Sequence, residues 1–509
     1  MDLETERRSA RAGAAGAATR EGQGERPSPA RASAPANASR PPQRRPGRPW
    51  PRRRLGVPLA VATACARIAR RASRAIARGG GTTLPGRVLL ALRPDALEAL
   101  GRRLDGGAVL VSATNGKTTT TAMIAQILRA QGRPVVHNQA GSNLAWGVAT
   151  ALLDARPGDG QVGLFEVDEA WLGAVARALR PRIVVLANLF RDQLDRYGEL
   201  ERLADEWAAL AHELVEWGTK LVLCADDPLV ADVAPTPQAA LYFGLEDDAR
   251  ALPHRDHAAD ATHCRRCGAP YEYTVSWLGH LGRYCCPACG HGRPEPTVAA
   301  RRVELRGMRG SLVEIEHNEQ RARIELPLPG VYNAYNALAA CAAAIALGFG
   351  LRDAATALAD VQAAFGRVEV VTLEGRELVL MLIKNPVGAN EVLRTLVLED
   401  QQLCLWIALN DGIADGRDVS WIWDAEFELL RGRVRFASCS GTRAPEMALR
   451  LKYAGVEAPL AVNREVAKSL EQALRHTDGR LYALPTYTAL LELRTWLARK
   501  GAAKHWADR

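Results

Sequence analysis

The apolar run Ala108–Ser112 leads directly into Ala113-Thr-Asn-Gly-Lys-Thr-Thr-Thr-Thr121 and then into the helix-like Ala122-Met-Ile-Ala-Gln-Ile-Leu128. No other stretch constrains the fold as much. A strand feeding a Gly-Lys-Thr turn that opens a helix gathers backbone N–H groups and the positive end of the helix dipole around one point, and that point suits phosphate. The pattern puts Lys117 at the β- and γ-phosphates of a nucleotide such as ATP and the Thr118 hydroxyl on Mg²⁺, with Asn115, Gly116 and Thr119 completing the loop. Val111 stands where such loops usually carry their first glycine, so the strand and helix contexts carry the assignment.

The surrounding pattern predicts an α/β, doubly wound domain. Val162–Val167, Arg182–Ala187 and Lys220–Cys224 are short apolar runs that read as buried parallel strands, separated by amphipathic stretches such as Glu199–Trp217. Further strands are expected near Arg302–Leu305 and Arg321–Leu326, followed by an Ala-rich helix after Asn336. A second, smaller α/β unit is expected from about Phe365, with strands at Glu377–Ile383, Gln402–Leu409, Val434–Ala437, Leu460–Val462 and Leu481–Leu484. The expected division is therefore a tail over 1–54, a central nucleotide-binding domain over 55–364 and a C-terminal domain over 365–509.

Charge is concentrated at one end. Of the formal +9, residues 1–54 hold 13 arginines against five acidic residues, a net +8, so the remaining 53 basic and 52 acidic residues nearly cancel. The folded part is close to neutral, and nucleic-acid binding is not implied. The tail is rich in Ala, Pro, Arg, Ser and Gly with one aromatic, Trp50, and is expected to be disordered. Val57–Ile76 has helical spacing with arginines toward its end, which reads as packing plus a basic rim or as a contact with a membrane surface. No secretory apolar segment follows the N-terminus, and the longest apolar stretch, Ala337–Leu351, falls short of the ~18 residues a membrane span needs. A cytoplasmic location is expected.

Between about 254 and 296 a Cys-, Gly- and Arg-rich insertion interrupts the α/β pattern. Cys264-Arg-Arg-Cys267 and Cys286-Pro-Ala-Cys289 are two Cys-x-x-Cys knuckles, the spacing of a closed tetrahedral Zn²⁺ site. Four thiolates leave no position for a reacting water, so the metal is expected to be structural, in an insertion too small to bury its own core. Cys285 is an alternative ligand to Cys286, and His263 and His280 lie nearby. Zinc ribbons often bind nucleic acid, but this one lacks the dense basic and aromatic surface that role needs.

Two polar motifs end predicted strands: Phe165-Glu-Val-Asp-Glu-Ala170 and Asn188-Leu-Phe-Arg-Asp-Gln-Leu-Asp-Arg-Tyr-Gly198. Ligands collect at strand C-termini in doubly wound sheets. Glu166 is the first candidate to hold a second metal ion, with Asp168 and Asp192 behind it. Together with Gly330-Val-Tyr-Asn-Ala-Tyr-Asn336 and Phe365-Gly-Arg-Val-Glu369, these motifs resemble the Mur ligase family. The cysteine insertion, Lys384-Asn-Pro-Val-Gly-Ala-Asn-Glu391, Asn410–Asp424 and Thr486–Arg494 narrow the resemblance to its MurT branch, over about residues 55–500.

That resemblance implies a Mur ligase-like central domain with an inserted Cys₄ zinc ribbon and a Rossmann-like C-terminal domain. It implies an ATP-dependent synthetase that amidates the D-glutamate α-carboxylate of lipid II through an acyl phosphate, at the cytoplasmic face of the membrane. Ammonia would come from a GatD-like class I glutaminase. Asn333 and Asn336 are implied at the nucleotide site and Arg367 near the phosphates. An aspartate of the loop 410–424 is implied to complete the partner's Cys–His pair; Asp411, Asp415, Asp418 and Asp424 are available, with Asp418 first and Asp424 second. Asp424 is also placed to cap a helix at Ala425–Leu430.

The sequence departs from the family's pattern at three places. Ala113 replaces a usual glycine and Gln193 a frequent histidine, and because the only lysine between Asn188 and Asp226 is Lys220, on a predicted strand, the family's carbamylated lysine has no obvious counterpart. None of Cys341, Cys404 and Cys439 lies in a glutaminase-type glycine elbow, so ammonia is expected from outside the chain. The rival within the same class is a stand-alone Mur- or folylpolyglutamate-type ligase that adds an amino acid. Deleting residues 1–50 should leave turnover on a detergent-solubilised substrate within about twofold of the full chain, because a disordered tail contributes nothing to the core; lost activity or solubility would show that the segment is part of the fold.

Overall fold

In the computed structural model, residues 57–76, 83–138, 142–192, 200–257, 259–361 and 367–503 are described. The basic segment 1–54 and Gln193 lie outside them. The central sheet has nine strands: β1 (Ala108–Ser112), β2 (Val135–His137), β3 (Val162–Glu166), β4 (Ile183–Leu186), β5 (Lys220–Cys224) and β6 (Ala240–Leu245), then β9 (Val298–Leu305), β10 (Ser311–His317) and β11 (Gln320–Leu326). Their order is β11-β10-β9-β6-β5-β4-β1-β3-β2. All pairings from β2 across to β9 are parallel, and β10 and β11 continue the sheet antiparallel.

The parallel strands are apolar runs because helices cover both their faces. β1, β3 and β4 are buried at every residue, as continuous burial in a parallel sheet requires. β1 sits between β3 and β4, at the point where the strand order reverses, so the ends of these three strands open into one crevice. The predicted strands at 302–305 and 321–326 are the later parts of a β9–β10–β11 meander. β10 went unanticipated: its segment, Ser-Leu-Val-Glu-Ile-Glu-His, lies inside the sheet between β9 and β11, and its alternation is short and mixed with charge.

The cysteine-rich insertion lies between β6 and β9. Its regular part is a two-stranded antiparallel hairpin, β7 (Glu272–Leu278) and β8 (Leu281–Cys285). The Ala-rich helix begins at Val331 and ends at Leu347, and it packs against the helix Lys117–Ala130 that follows the phosphate-type loop.

The C-terminal domain has six strands: β12 (Arg367–Leu373), β13 (Arg376–Met381), β14 (Leu403–Ala408), β15 (Val434–Ser440), β16 (Leu460–Val462) and β17 (Arg480–Pro485), in the order β12-β13-β17-β14-β15-β16. Only β12 is antiparallel to its neighbour. Helices Pro386–Leu396 and Ala444–Tyr453 bury their apolar sides on one face, and Val466–Arg475 and Tyr487–Arg499 on the other. This is the expected Rossmann-like arrangement. One local expectation is corrected: no α-helix runs over Ala425–Leu430, where Phe427–Leu430 forms a single 3₁₀ turn. Asp424 closes the preceding 3₁₀ turn, Ser420–Trp423, at its C-terminal side and so caps no helix N-terminus.

A buried polar knot ties the insertion to the sheet. Asp226, fully buried after β5, accepts from Arg293 Nε at 2.7 Å and from the Tyr335 hydroxyl at 2.6 Å. Burial pushes the Asp226 carboxyl upward against the opposing pull of Arg293 and Tyr335. Removing one partner from such a buried pair leaves an uncompensated charge. Asp226→Ala should therefore destabilise the chain by about 3–5 kcal/mol, checked by urea denaturation, whereas a loss below about 1 kcal/mol would show that the knot is solvated.

Candidate active site

Gly116 caps the helix Lys117–Ala130 in the left-handed region, with φ +88°. A Cβ there would lie 2.1 Å from Asn336 Oδ1. Glycine is thus required twice, for the turn and for the close approach of Asn336. Asn336 Oδ1 also accepts from Thr120 Oγ1 at 3.1 Å, and its Nδ2 donates to Asn333 Oδ1 at 3.0 Å. Asn333 is itself fastened to Pro329 O, so it stands behind Asn336 and orients it. The loop's other side is held by Asn188, whose amide accepts from Asn115 N at 2.9 Å and donates to Asn115 O at 3.0 Å.

Lys117 is buried and folded back on its own loop, donating to Ala113 O, Thr114 O and, at 3.0 Å, Glu169 Oε2. Burial works against its charge, but Glu169, Glu166 and Asp168 outweigh it and hold Lys117 above its ordinary range. Glu169 is driven upward by burial and by Asp168, against the pull of Lys117. Thr118 Oγ1 lies 3.0 Å from Glu166 Oε2. Adjacent ligands of an octahedral ion bound at 2.0–2.1 Å are about 3 Å apart, so this oxygen pair fits Mg²⁺. Thr119 is buried in the first helical turn. Lys220 donates to Ala346 O at the end of the Ala-rich helix and is bonded away from the loop.

The C-terminal domain closes the site with residues that sequence reasoning quoted but gave no role. Lys384 follows β13, and its Nζ reaches Thr114 O at 3.4 Å and Asp192 Oδ2 at 2.5 Å. Asn385 caps the helix Pro386–Leu396 by accepting from Gly388 N, and it also bonds Asn115. Asp192, expected as a metal ligand, is thus engaged by a lysine from the other domain. The signal for both residues was the Lys-Asn-Pro order at a predicted strand end. Arg367 is the first residue of β12, and its side chain lies outside the described ones. Next to the loop is a cavity lined by both domains, among them Gly116, Phe190, Tyr335, Asn336, Leu382 and Val387.

Cys264, Cys267, Cys286 and Cys289 converge with all four sulfurs within 4.8 Å of one another. Gly268 and Gly290, both at positive φ, turn the two knuckles. Burial opposes ionisation of Cys264, but N–H groups of Arg266 and Cys267 directed at its sulfur bring it down to about 6. The donor set and spacing fit Zn²⁺. Cys285 Sγ instead faces Cys286 O, which decides for Cys286. His263 bonds Thr262, and His280 is buried beside Asp227, with Nε2 3.3 Å from Oδ1.

The four aspartates of the loop after β14 have different surroundings. Asp411 pairs with Arg443 and Thr442, and Asp415 is buried, accepting from Thr488. Asp418 is exposed; the Ser420 hydroxyl and the Ser420 N–H, which donates to it at 2.8 Å, lower its carboxyl. Asp424 is half-exposed and turned toward the central domain, 3.7 Å from Arg191.

Known proteins decide the family. The Mur ligase middle-domain profile matches residues 111–281, and the MurT ligase C-terminal profile matches 382–490. A Staphylococcus aureus protein named lipid II isoglutaminyl synthase (glutamine-hydrolyzing) subunit MurT is 32% identical over 435 residues, 85% of this chain and 96% of its own length. The chain belongs to the MurT family of Mur ligases. Among solved structures, a pseudomurein peptide ligase type C from Methanothermus fervidus superposes with a TM-score of 0.61 at 22% identity, over 79% of this chain and 80% of that one. A Thermotoga maritima MurF ligase in complex with ADP superposes at 0.55 and 15% identity, over 82% and 85%. Both share the fold.

Metal analysis of this MurT family chain should find one zinc per molecule. Cys264→Ser with Cys286→Ser should remove it and lower the melting temperature by several degrees; unchanged stability would show that the cluster holds no structural ion.

Proposed function

We propose that this chain is the synthetase subunit of a lipid II amidating enzyme: it activates the D-glutamate α-carboxylate with ATP and transfers ammonia to it. One observation carries the reading. Lys117 and Lys384, from two different domains, converge on the same loop carbonyl, Thr114 O, at 3.3 and 3.4 Å. Two cations meeting where a helix N-terminus and a Gly-Lys-Thr loop meet suit a transferring phosphoryl group flanked by nucleotide and acceptor.

In the first step a carboxylate oxygen of the substrate attacks the γ-phosphorus of ATP; the bond to the β,γ-bridging oxygen breaks and ADP leaves. In the second, ammonia attacks the acyl carbon, loses a proton, and phosphate departs with the electron pair of the broken C–O bond. Lys117 must leave Glu169 to meet the phosphates, and Lys384 must leave Asp192. Glu169, with Glu166 and Asp168, keeps Lys117 charged beforehand, and Asp192 holds Lys384 in place. The Mg²⁺ that Thr118 and Glu166 would hold supplies further positive charge beside the phosphates.

Ammonia is supplied by a GatD-like class I glutaminase, in keeping with the glutamine-hydrolysing subunit name of the S. aureus relative. Asp418, exposed in the loop after β14, is the first candidate to orient that partner's imidazole, and Asp424 the second. The MurT C-terminal match favours this reading over a stand-alone amino-acid ligase. Among the described residues no helix is long and apolar enough to cross a membrane; the lipid-linked substrate is met at the cytoplasmic leaflet.

Lys117→Ala should abolish ATP-dependent amidation of lipid II while leaving the circular dichroism spectrum intact, and activity within about tenfold of the parent would overturn the phosphate-loop assignment. Asp418→Asn and Asp424→Asn, assayed with the glutaminase, separate the second part of the reading. The aspartate that completes the triad should lose glutamine-dependent amidation by ≥ ~10²-fold and keep the reaction with free ammonia; equal loss of both would move that aspartate to the synthetase site.

A further inference from the structure

The hairpin β7–β8 is exposed at its cysteine end and buried at its tip. Glu272 is exposed, whereas Ser276, Trp277 and Leu278 are buried, as are His280 and Leu281. A ribbon serving only as an outer ornament would show the opposite gradient. The tip is inserted between the domains. Leu278 and Leu281 line the cavity beside Gly116 and Asn336. A Cβ on Gly279, at φ +58°, would lie 3.0 Å from Phe190 and 3.3 Å from Val387, so the tip touches one residue of each domain. His280 lies against the Phe190 ring, centroids 4.6 Å apart.

The tip is also fastened to the opposite wall of the cavity. Gly279 N donates to Asp256 at 3.2 Å, Asp256 pairs with Arg394, and Arg394 donates to Glu391 at 2.8 Å. Glu391 lines the same cavity. At the other end, β8 runs without interruption from Leu281 to Cys285, beside the metal-ligand position Cys286. Cys286 lies five residue steps beyond Leu281, roughly 17 Å at ~3.3 Å per residue.

With the phosphates of ATP at Lys117 and Thr118, the purine is directed into this cavity, whose apolar walls suit a flat aromatic ring. We propose that the tip of the ribbon hairpin, Leu278–Leu281, is a wall of the purine subsite, so that the metal-held ribbon sets the affinity for the nucleotide. The inference rests on the nucleotide-site reading above and deepens it: the Cys₄ knuckles hold the two strands in register, and the strands deliver two leucines to the base.

The test is calorimetric titration of the full chain with ATP and, separately, with tripolyphosphate, which lacks the base. Leu278→Ala with Leu281→Ala should weaken ATP at least tenfold, leave tripolyphosphate binding unchanged and retain one zinc per chain. Cys286→Ser with Cys289→Ser should lose the metal and show the same selective loss of ATP affinity. ATP affinity within twofold of the parent in the leucine variant, or an equal fall for tripolyphosphate, would overturn the proposal. Lys117→Ala separates the two readings: if it binds both ligands as the parent does, the phosphate-loop assignment itself fails, whatever the leucine variant shows.

Discussion

The approach of Asn336 to Gly116 sets the geometry of the central domain. A Cβ at Gly116 would clash at 2.1 Å with Asn336 Oδ1, so the Ala-rich helix can lie this close to the loop only over a glycine. That proximity lets helices Lys117–Ala130 and Val331–Leu347 pack together on the sheet, and it puts Asn336 and Thr120 in one hydrogen bond. The loop is clamped from its other side by Asn188, which bonds both the N–H and the carbonyl of Asn115. A loop held by backbone contacts on two sides has its N–H groups oriented before any anion arrives, and this preorganisation is what makes such a site effective.

Charge at the site is arranged to be exchanged. Burying Lys117 would by itself favour its neutral form, yet the Glu169, Glu166 and Asp168 carboxylates keep it protonated. Lys384 likewise has a carboxylate partner, Asp192. In the proposed reaction each lysine exchanges its carboxylate partner for a phosphate. Because Lys384 belongs to the C-terminal domain, the complete set of cations exists only when the two domains are together, as they are here.

The parts legible in the sequence were those that depend on a local rule. Continuous apolar runs marked β1, β3, β4 and β5 because both faces of a parallel sheet are covered. The Gly-Lys-Thr turn and the paired Cys-x-x-Cys knuckles were legible because phosphate and zinc chemistry impose fixed spacings. What escaped depends on the meeting of distant segments. Lys384 and Asn385 lie some 270 positions from the loop they touch, and no periodicity reports such a contact. His280, close to the knuckles in sequence, is wholly buried at a hairpin tip beside Asp227. The helix expected at Ala425–Leu430 is one 3₁₀ turn, and the buried Arg450 takes the carbonyl of Ala425 that a helix would need.

The loop that carries the four aspartates follows from the same sheet geometry. It leaves the C-terminal end of β14, as Lys384 leaves that of β13, so both emerge on the edge of the C-terminal sheet where parallel strands present their ligands. Asp411 and Asp415 are consumed in fixing the loop, through Arg443 and Thr488. Fixing the loop with two of its carboxylates leaves the other two on its surface, Asp418 outward and Asp424 toward Arg191 of the central domain. An aspartate offered to another protein must be held by its own backbone rather than by a cation, since an intramolecular ion pair would have to be broken before the new contact formed. Asp418 meets that condition: the N–H and hydroxyl of Ser420 stabilise its charge and leave its exposed side open. Asp424, already 3.7 Å from the Arg191 guanidinium, would have to give up that contact first.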